Sequence, residues 1–153
     1  MSTAYIGEET RAAYEDLCGR GTNCALILKL NMKENTVVVD DEILENVTVD
    51  DLVMELPESS PRFILFRWSF KDDDVRVSEK KVLIYFNPLS CDVRLKRAYG
   101  DAKNIVNSQF TTFTMIQINE ISDFKESTIK SLVGGQTGTA AGALDKKFET
   151  YGR

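Results

Sequence analysis

The pattern of apolar and polar positions predicts alternating helices and strands along this chain. Short runs rich in leucine, β-branched and aromatic residues indicate five strands, at 24–30, 36–40, 62–70, 80–87 and 112–118. Apolar residues at helical spacing indicate four helices, at 8–18, 47–56, 93–106 and 122–133. The two central strands are so apolar that we expect helices on both faces of the sheet. The elements therefore predict an α/β (α+β) fold, with a central mixed sheet of five or six strands flanked by four helices.

Residues that are typical of helix ends support several of these boundaries. Thr48 stands three residues before Asp51, which is the spacing of a capping box at the start of the second helix. Gly19 stands where a left-handed cap would end the first helix. Ser90 or Asp92 can cap the long third helix, and the sequence leaves the choice between them open.

The length and composition favour one globular domain. With 153 residues, 42% of them hydrophobic, the chain can bury a core of ordinary size. We expect this domain to span 1–133, and we expect the tail at 134–153, with its scattered glycines and low hydrophobicity, to be mobile. The chain shows no signal-peptide pattern and no long apolar run, so we expect a cytoplasmic protein that does not span a membrane.

The absence of histidine from the sequence excludes several kinds of catalytic and metal site. No Ser-His-Asp or Cys-His arrangement can form, and no histidine can bind a metal. The three cysteines, Cys18, Cys24 and Cys91, are too far apart for a C-x-x-C pair. We therefore expect no catalytic residue, no metal and no cofactor. One enzyme hypothesis is a reactive Cys91 thiol, because a cysteine at a helix start near Arg94 can have a lowered pKa.

The third helix concentrates positive charge in a chain whose formal net charge is -5. Its apolar stripe should face the sheet and consists of Leu95, Ala98, Tyr99, Ala102, Ile105 and Val106. The four cations then lie on the margins, with Arg94 and Arg97 on one flank and Lys96 and Lys103 on the other. Two interpretations remain open: a solvated helix face, or a docking ridge for an acidic partner surface.

The distribution of acidic residues favours the docking ridge. Residues 40–58 carry eight acidic side chains and no basic one, so the surface should be polarised. A polarised surface orients and steers a partner more than it adds affinity. Nucleic acid is a poor candidate partner, because the chain is acidic overall and few aromatic residues accompany the cations.

Three segments together resemble a known family. They are MELPESSPRFILF (54–66), DDDVRVSEKK (72–81) and IYFNPLSCDVRLKRAYGDAK (84–103). In combination they resemble the actin-depolymerising-factor homology (ADF/cofilin) family, and within it they look most like the glia maturation factors. The similarity covers roughly 5–133. It implies a monomeric, non-enzymatic regulator that binds the actin-related-protein complex, promotes filament debranching, inhibits branch nucleation and binds actin itself poorly.

One departure keeps an alternative function open. In the cofilin branch of this family, two basic residues of the long helix and the N-terminal segment contact actin, and those basic residues match Arg94 and Lys96. Glia maturation factors tend to carry an acidic or neutral side chain at the position of Arg94. The tail after Gly134 is also similar to that of the coactosins. The resemblance therefore leaves open direct binding of actin monomers or filaments, with depolymerisation, severing or filament coating.

The resemblance also implies three further sites. Six cations match a region that contacts a second actin-like subunit, with simple solubility as the alternative: Lys71, Arg76, Lys80, Lys81, Lys125 and Lys130. Ser2 is a candidate phosphorylation site by analogy with cofilins, although an ordinary disordered start explains this residue at least as well. The cations of the long helix are also candidate ligands for phosphoinositide headgroups.

Overall fold

The computed structural model describes residues 4–71 and 77–134, and these contain six strands and four helices. The strands are β1 (Tyr5–Ile6), β2 (Cys24–Asn31), β3 (Thr36–Val39), β4 (Arg62–Lys71), β5 (Val77–Phe86) and β6 (Thr114–Ile118). The helices are α1 (Glu8–Gly19), α2 (Val49–Met54), α3 (Val93–Gln109) and α4 (Glu126–Gly134), and a single 3-10 turn spans Ile121–Asp123.

The strands form one mixed sheet in the order β1-β3-β2-β4-β5-β6. The four central strands pair antiparallel, whereas both edge strands, β1 and β6, run parallel to their neighbours. The predicted fold class and the mixed sheet are therefore confirmed.

Several predicted boundaries were wrong by a few residues. The strand predicted at 80–87 begins at Val77, because β4 and β5 stay paired out to Lys71 opposite Val77. The helix predicted at 122–133 begins at Glu126, after the 3-10 turn. β1 was not predicted at all, because a two-residue strand is too short to show an alternating pattern.

The predicted capping box at the start of α2 is confirmed. The Asp51 amide donates to the Thr48 hydroxyl at 3.2 Å, and the Thr48 amide donates to the Asp51 carboxylate at 3.0 Å. These two bonds satisfy amides that would otherwise lack partners at the start of the helix.

The predicted left-handed cap at Gly19 is wrong. Gly19 is the last residue of α1, and the capping residue Arg20 is extended, with φ -91° and ψ 174°. The guanidinium of Arg67 on β4 donates instead to carbonyl oxygens at the end of α1: Leu17 at 3.3 Å, Cys18 at 3.1 Å, and Arg20. The Arg20 amide also donates to the Leu17 carbonyl, at 3.2 Å, so one local bond and a side chain from the sheet together satisfy the carbonyls that a glycine cap would have satisfied.

Both faces of the central strands are buried. On one face, Phe63 and Leu65 of β4 join a core cluster that includes Tyr99 and Val106 of α3. On the other face, Ile64 and Phe66 are also fully buried. This burial explains why the central strands are continuously apolar instead of alternating.

The chain divides into two compact units, residues 1–121 and residues 122–153. The first unit contains the whole sheet with α1, α2 and α3, and the second contains α4, with Phe124, Ile129 and Val133 buried. The prediction of a single domain at 1–133 stays a prediction. In the part of the chain that the structure describes, none of the helices combines the length and the apolar composition that a membrane span requires.

Candidate partner-binding site on the long helix

The start of α3 is held in place by local hydrogen bonds. Of the two predicted caps, Asp92 is the N-cap, and its carboxylate accepts from the Arg94 amide at 2.7 Å. The turn before it is closed by the Cys91 amide, which donates to the Pro88 carbonyl at 3.2 Å. Side chains in the first turns of α3 therefore project from a fixed backbone.

The predicted apolar stripe of α3 is confirmed. Tyr99, Ala102 and Val106 are buried in the core cluster. The other three stripe residues, Leu95, Ala98 and Ile105, are partly buried and pack against the same cluster. The opposite side of the helix is left for the charged residues.

The two arginines of the basic cluster are exposed. The Arg94 side chain is 88% exposed, and its only ion-pair contact in the described residues is with Asp92, at 3.9 Å. Arg97 is exposed one turn further along, and it makes no ion pair in the described chain. Both guanidinium groups are available to a partner.

The two lysines have partners within the protein. The Lys96 ammonium donates to the Leu89 carbonyl at 3.0 Å, which ties the preceding turn to the helix. The Lys103 ammonium lies 5.7 Å from the centre of the Tyr85 ring, within the range of a cation–π interaction. Both lysines are half-buried. Only two of the four predicted cations are therefore presented freely.

The Tyr85 ring beneath Lys103 stays neutral at physiological pH. Burial, together with smaller contributions from the neighbouring Cys91 and Tyr99, raises the pKa of Tyr85 to about 12. Lys103 therefore packs over an uncharged aromatic face.

Sequence reasoning missed two exposed apolar side chains beside the arginines. Leu89 is 62% exposed in the turn before α3, and Val93, the first residue of α3, is 68% exposed. The signal for Val93 was available, since a wheel of 100° per residue places it opposite the apolar stripe. We call Leu89, Val93, Arg94 and Arg97 the α3 surface. It combines apolar area with two cations.

Cys91 does not have the environment of an activated thiol. It is 6% exposed. Burial raises the pKa of the Cys91 thiol, although Lys96 acts in the opposite direction. The hypothesis of a lowered pKa at this helix start is therefore wrong in direction.

The three lysines of the second predicted cation group that lie on β4 and β5 are divided between the two faces of the sheet. Lys71 and Lys81 lie on the face of the sheet that bears Phe63, while Lys80, between Lys81 and Glu79, points to the opposite face. Lys125 and Lys130 are exposed in the second unit. A role for these lysines in partner binding stays a prediction.

The acidic segment at 40–58 is partly neutralised within the fold. Asp40 pairs with Lys29 and Arg62, both at 3.3 Å, and Glu45 pairs with Arg20 at 2.7 Å. Other carboxylates of this segment are exposed: Asp41, Glu42, Asp50, Glu55 and Glu58. Negative charge is therefore present at the surface, but less than the sequence implies.

Ser2, Arg76 and the tail from 135 onward lie outside the described residues. The predictions of phosphorylation at Ser2, of a partner contact at Arg76 and of a mobile tail stay predictions.

Comparison with known proteins identifies the family. The family model described as "Cofilin/tropomyosin-type actin-binding protein" matches residues 3–134. Glia maturation factor beta of Mus musculus is 33% identical over 112 residues, which cover 73% of this chain and 78% of that protein. The solution structure of glia maturation factor from Caenorhabditis elegans has 25% identity and a TM-score of 0.68, and the match covers 86% of this chain and 96% of that one.

A further solved structure shares the fold alone. The crystal structure of Streptomyces griseoflavus cofilin has 19% identity and a TM-score of 0.74, and the match covers 84% of this chain and 95% of that one. The family match over residues 3–134 includes the whole sheet and the long helix. The sequence match and the shared fold therefore agree. The chain belongs to the ADF/cofilin family of actin-binding proteins and is similar to its glia maturation factors.

Proposed function

We propose that this protein binds the actin-related-protein complex at filament branches, promotes debranching and inhibits the nucleation of new branches. The observation that carries the proposal is the 33% identity to glia maturation factor beta over 73% of the chain. The resemblance of 84–103 to the glia maturation factors, which implies this activity, supports the same conclusion.

The α3 surface is suited to such a contact. Leu89 and Val93 offer apolar area whose burial is worth about 25 cal/mol per Å². Arg94 and Arg97 can form bidentate hydrogen bonds with carboxylates on the rim of an apolar cleft. Because Asp92 caps the helix, the backbone of these residues loses little conformational entropy on binding.

Binding alone can separate a branch. A protein that binds the actin-related-protein complex more tightly when it is free of the branch junction shifts the equilibrium towards separation by that difference in affinity. No covalent bond is made or broken, so the mechanism requires no enzymatic activity and no cofactor.

The experiment compares two charge reversals of equal size. Arg97→Glu should weaken binding to the purified complex and slow debranching of filaments observed by fluorescence microscopy. Lys33→Glu, on the exposed turn after β2, is the matched control and should behave as wild type. Both changes are at exposed positions and should alter stability by less than about 0.5 kcal/mol. Equal activity of the two variants would contradict a role for the α3 surface.

A specific observation favours a second candidate function, the direct binding of actin monomers or filaments. Arg94 is 88% exposed at a position where the cofilins, but not the glia maturation factors, tend to carry a cation. Cosedimentation with purified filaments, run beside a pull-down of the actin-related-protein complex, separates the two functions. The cofilin-type or coactosin-type function would be supported if the wild-type protein sediments with filaments and the Arg94→Glu variant does not.

Other contacts are secondary proposals. Phosphoinositide headgroups are proposed ligands of the same arginines, and vesicles with and without phosphoinositides would test them. Lys71, Arg76, Lys80, Lys81, Lys125 and Lys130 are proposed contacts for a second actin-like subunit. A phosphate on Ser2 would add negative charge and oppose an acidic partner. We place the monomeric protein in the cytoplasm with the actin cytoskeleton, where a fluorescent fusion would reveal it.

A further inference from the structure

A groove lies beside the edge strand of the sheet, on elements that the α3 surface does not use. It is bounded by β1, the first turn of α1 and the outer edge of β3, and its volume is about 640 Å³. Pockets that bind ligands in proteins have volumes of roughly 300–1,000 Å³, so the groove is large enough for several side chains.

The sheet edge along this groove is only partly covered. β1 pairs with Thr36 and Val37 of β3 and then leaves the sheet at Gly7. Val38 and Val39 pair with β2 on their inner side, but in the described residues no strand pairs with them on the outer side.

The direction of the unpaired backbone groups follows from the ladder. The Asp40 amide donates to the Ile27 carbonyl of β2 at 2.9 Å, so the backbone N–H of Asp40 points towards β2. Because antiparallel pairing alternates along a strand, the backbone groups of Val37 and Val39 face outward. The Thr10 hydroxyl donates to the Val37 carbonyl at 2.9 Å, so that carbonyl already has a hydrogen-bond partner. The N–H and C=O of Val39 are therefore directed to the open edge.

The walls of the groove are acidic. Glu8 and Glu9 of α1 and Glu34 of the β2–β3 turn line it, and none of its lining residues is basic. All three glutamates are exposed, as is the aromatic ring of Tyr5, which is 63% exposed. The groove thus offers an edge for strand pairing, carboxylates for cations and a ring on which a cation can pack.

We propose that this groove binds an extended segment of a partner protein that carries lysine or arginine. One residue of the segment exchanges backbone hydrogen bonds with Val39, as in the addition of a strand to a sheet edge. Its cationic side chains pair with Glu8, Glu9 and Glu34. The charge complementarity selects a basic segment over an acidic or neutral one.

The test uses the peptide Val-Arg-Val-Lys-Val-Arg amide, labelled with fluorescein on its N-terminal amine, and the full chain at low salt. Fluorescence polarisation should show saturable binding, and amide NMR shifts should change at Gly7 and Val39. The Glu8→Gln/Glu9→Gln/Glu34→Gln variant should bind about fivefold more weakly, because it removes three exposed ion pairs that each contribute modestly to binding.

Two controls make the outcome decisive. The variant Glu42→Gln/Glu55→Gln/Glu58→Gln removes the same charge at exposed positions elsewhere and should bind as wild type. A peptide N-methylated at its central residues cannot form the strand pairing and should bind more weakly. The proposal is overturned if the peptide does not bind, if both glutamine variants weaken it equally, or if N-methylation has no effect.

Discussion

The hydroxyl of Tyr99 on α3 accepts a hydrogen bond from the backbone amide of Leu30 on β2, at 2.9 Å. β2 and β4 pair only as far as Leu28 opposite Phe63, so the Leu30 amide lies beyond the end of that ladder. A strand neighbour at this position would be Pro61, whose carbonyl accepts from Arg62 instead. Tyr99 thus replaces a strand partner and joins the long helix to the sheet.

Tyr99→Phe should destabilise the protein without changing its fold. The ring still packs against Phe63, but the Leu30 amide loses its acceptor in a site where Tyr99 is 2% exposed. Leaving such a donor unpaired costs about 1–3 kcal/mol. Urea unfolding should show a lower midpoint with an unchanged m-value.

The control for this change is Tyr5→Phe, because the Tyr5 ring is exposed. It should leave the unfolding midpoint unchanged. If Tyr99→Phe were as stable as wild type, the hydrogen bond to Leu30 would contribute nothing to folding.

Arg67→Met should be costly because it removes the donors at the end of α1. The Arg67 side chain is 13% exposed and serves both the α1 carbonyls and Glu79, at 3.0 Å from its carboxylate. Hydrogen bonds to a charged group contribute roughly 1.5–3 kcal/mol, so the free energy of unfolding should fall by about that amount.

Glu79→Gln separates the two contributions of Arg67. It removes only the ion pair, whose carboxylate is 43% exposed, and should cost less than about 1 kcal/mol. Chemical denaturation of both variants measures the difference. An equal loss of stability in Glu79→Gln and Arg67→Met would show that the ion pair, and not the helix end, accounts for the contribution of Arg67.

Ionisation of Tyr85 should lower the free energy of unfolding of the protein at alkaline pH. Its pKa is raised to about 12 in the folded state, from an unfolded value near 10. Below pH 10 the tyrosine is protonated in both states, so its contribution to stability is fully present. Between about pH 10 and 12 the unfolded chain releases the proton first, so the free energy of unfolding falls as the pH rises.

Tyr85→Phe should therefore lose less stability than wild type between pH 10 and pH 11. Urea unfolding at pH 9, 10 and 11 measures how the free energy of unfolding depends on pH. Tyr5→Phe is again the control and should follow wild type. An identical alkaline decline in Tyr85→Phe and wild type would rule out a buried, protonated Tyr85 as its source.

The exposed apolar residues of the α3 surface should matter for binding and not for folding. Leu89→Ser/Val93→Ser should weaken the proposed partner contact at least about tenfold, because burial of two such side chains contributes more than 1.4 kcal/mol. Thermal stability should change little, since both side chains are exposed in the free protein.

Met54→Ser provides the comparison for the serine variant, because Met54 is 83% exposed on α2. Titration of the purified actin-related-protein complex, and separately of actin, measures the affinities. Unchanged binding by Leu89→Ser/Val93→Ser would leave the arginines as the only contact residues of this surface.

Much of the candidate site could be predicted from the sequence, because helical periodicity is a local property. The stripe of α3 and its exposed arginines follow from a rotation of 100° per residue. The contacts that Lys96 and Lys103 make within the protein could not be predicted in this way. Their partners, the Leu89 carbonyl and the Tyr85 ring, lie in a turn and in a strand whose positions depend on the folded sheet.

The sequence by itself determined the types of the helices and of every strand except β1, the capping box at Thr48 and the side of α3 that is buried, since each depends on residues within a few positions of one another. Only the tertiary structure decided how Leu30 is paired and how α1 ends. Tyr99 is separated from Leu30 by 69 positions, and Arg67 from Arg20 by 47. The physical reason is that backbone groups at the ends of strands and helices take whichever donor or acceptor the packed chain brings to them.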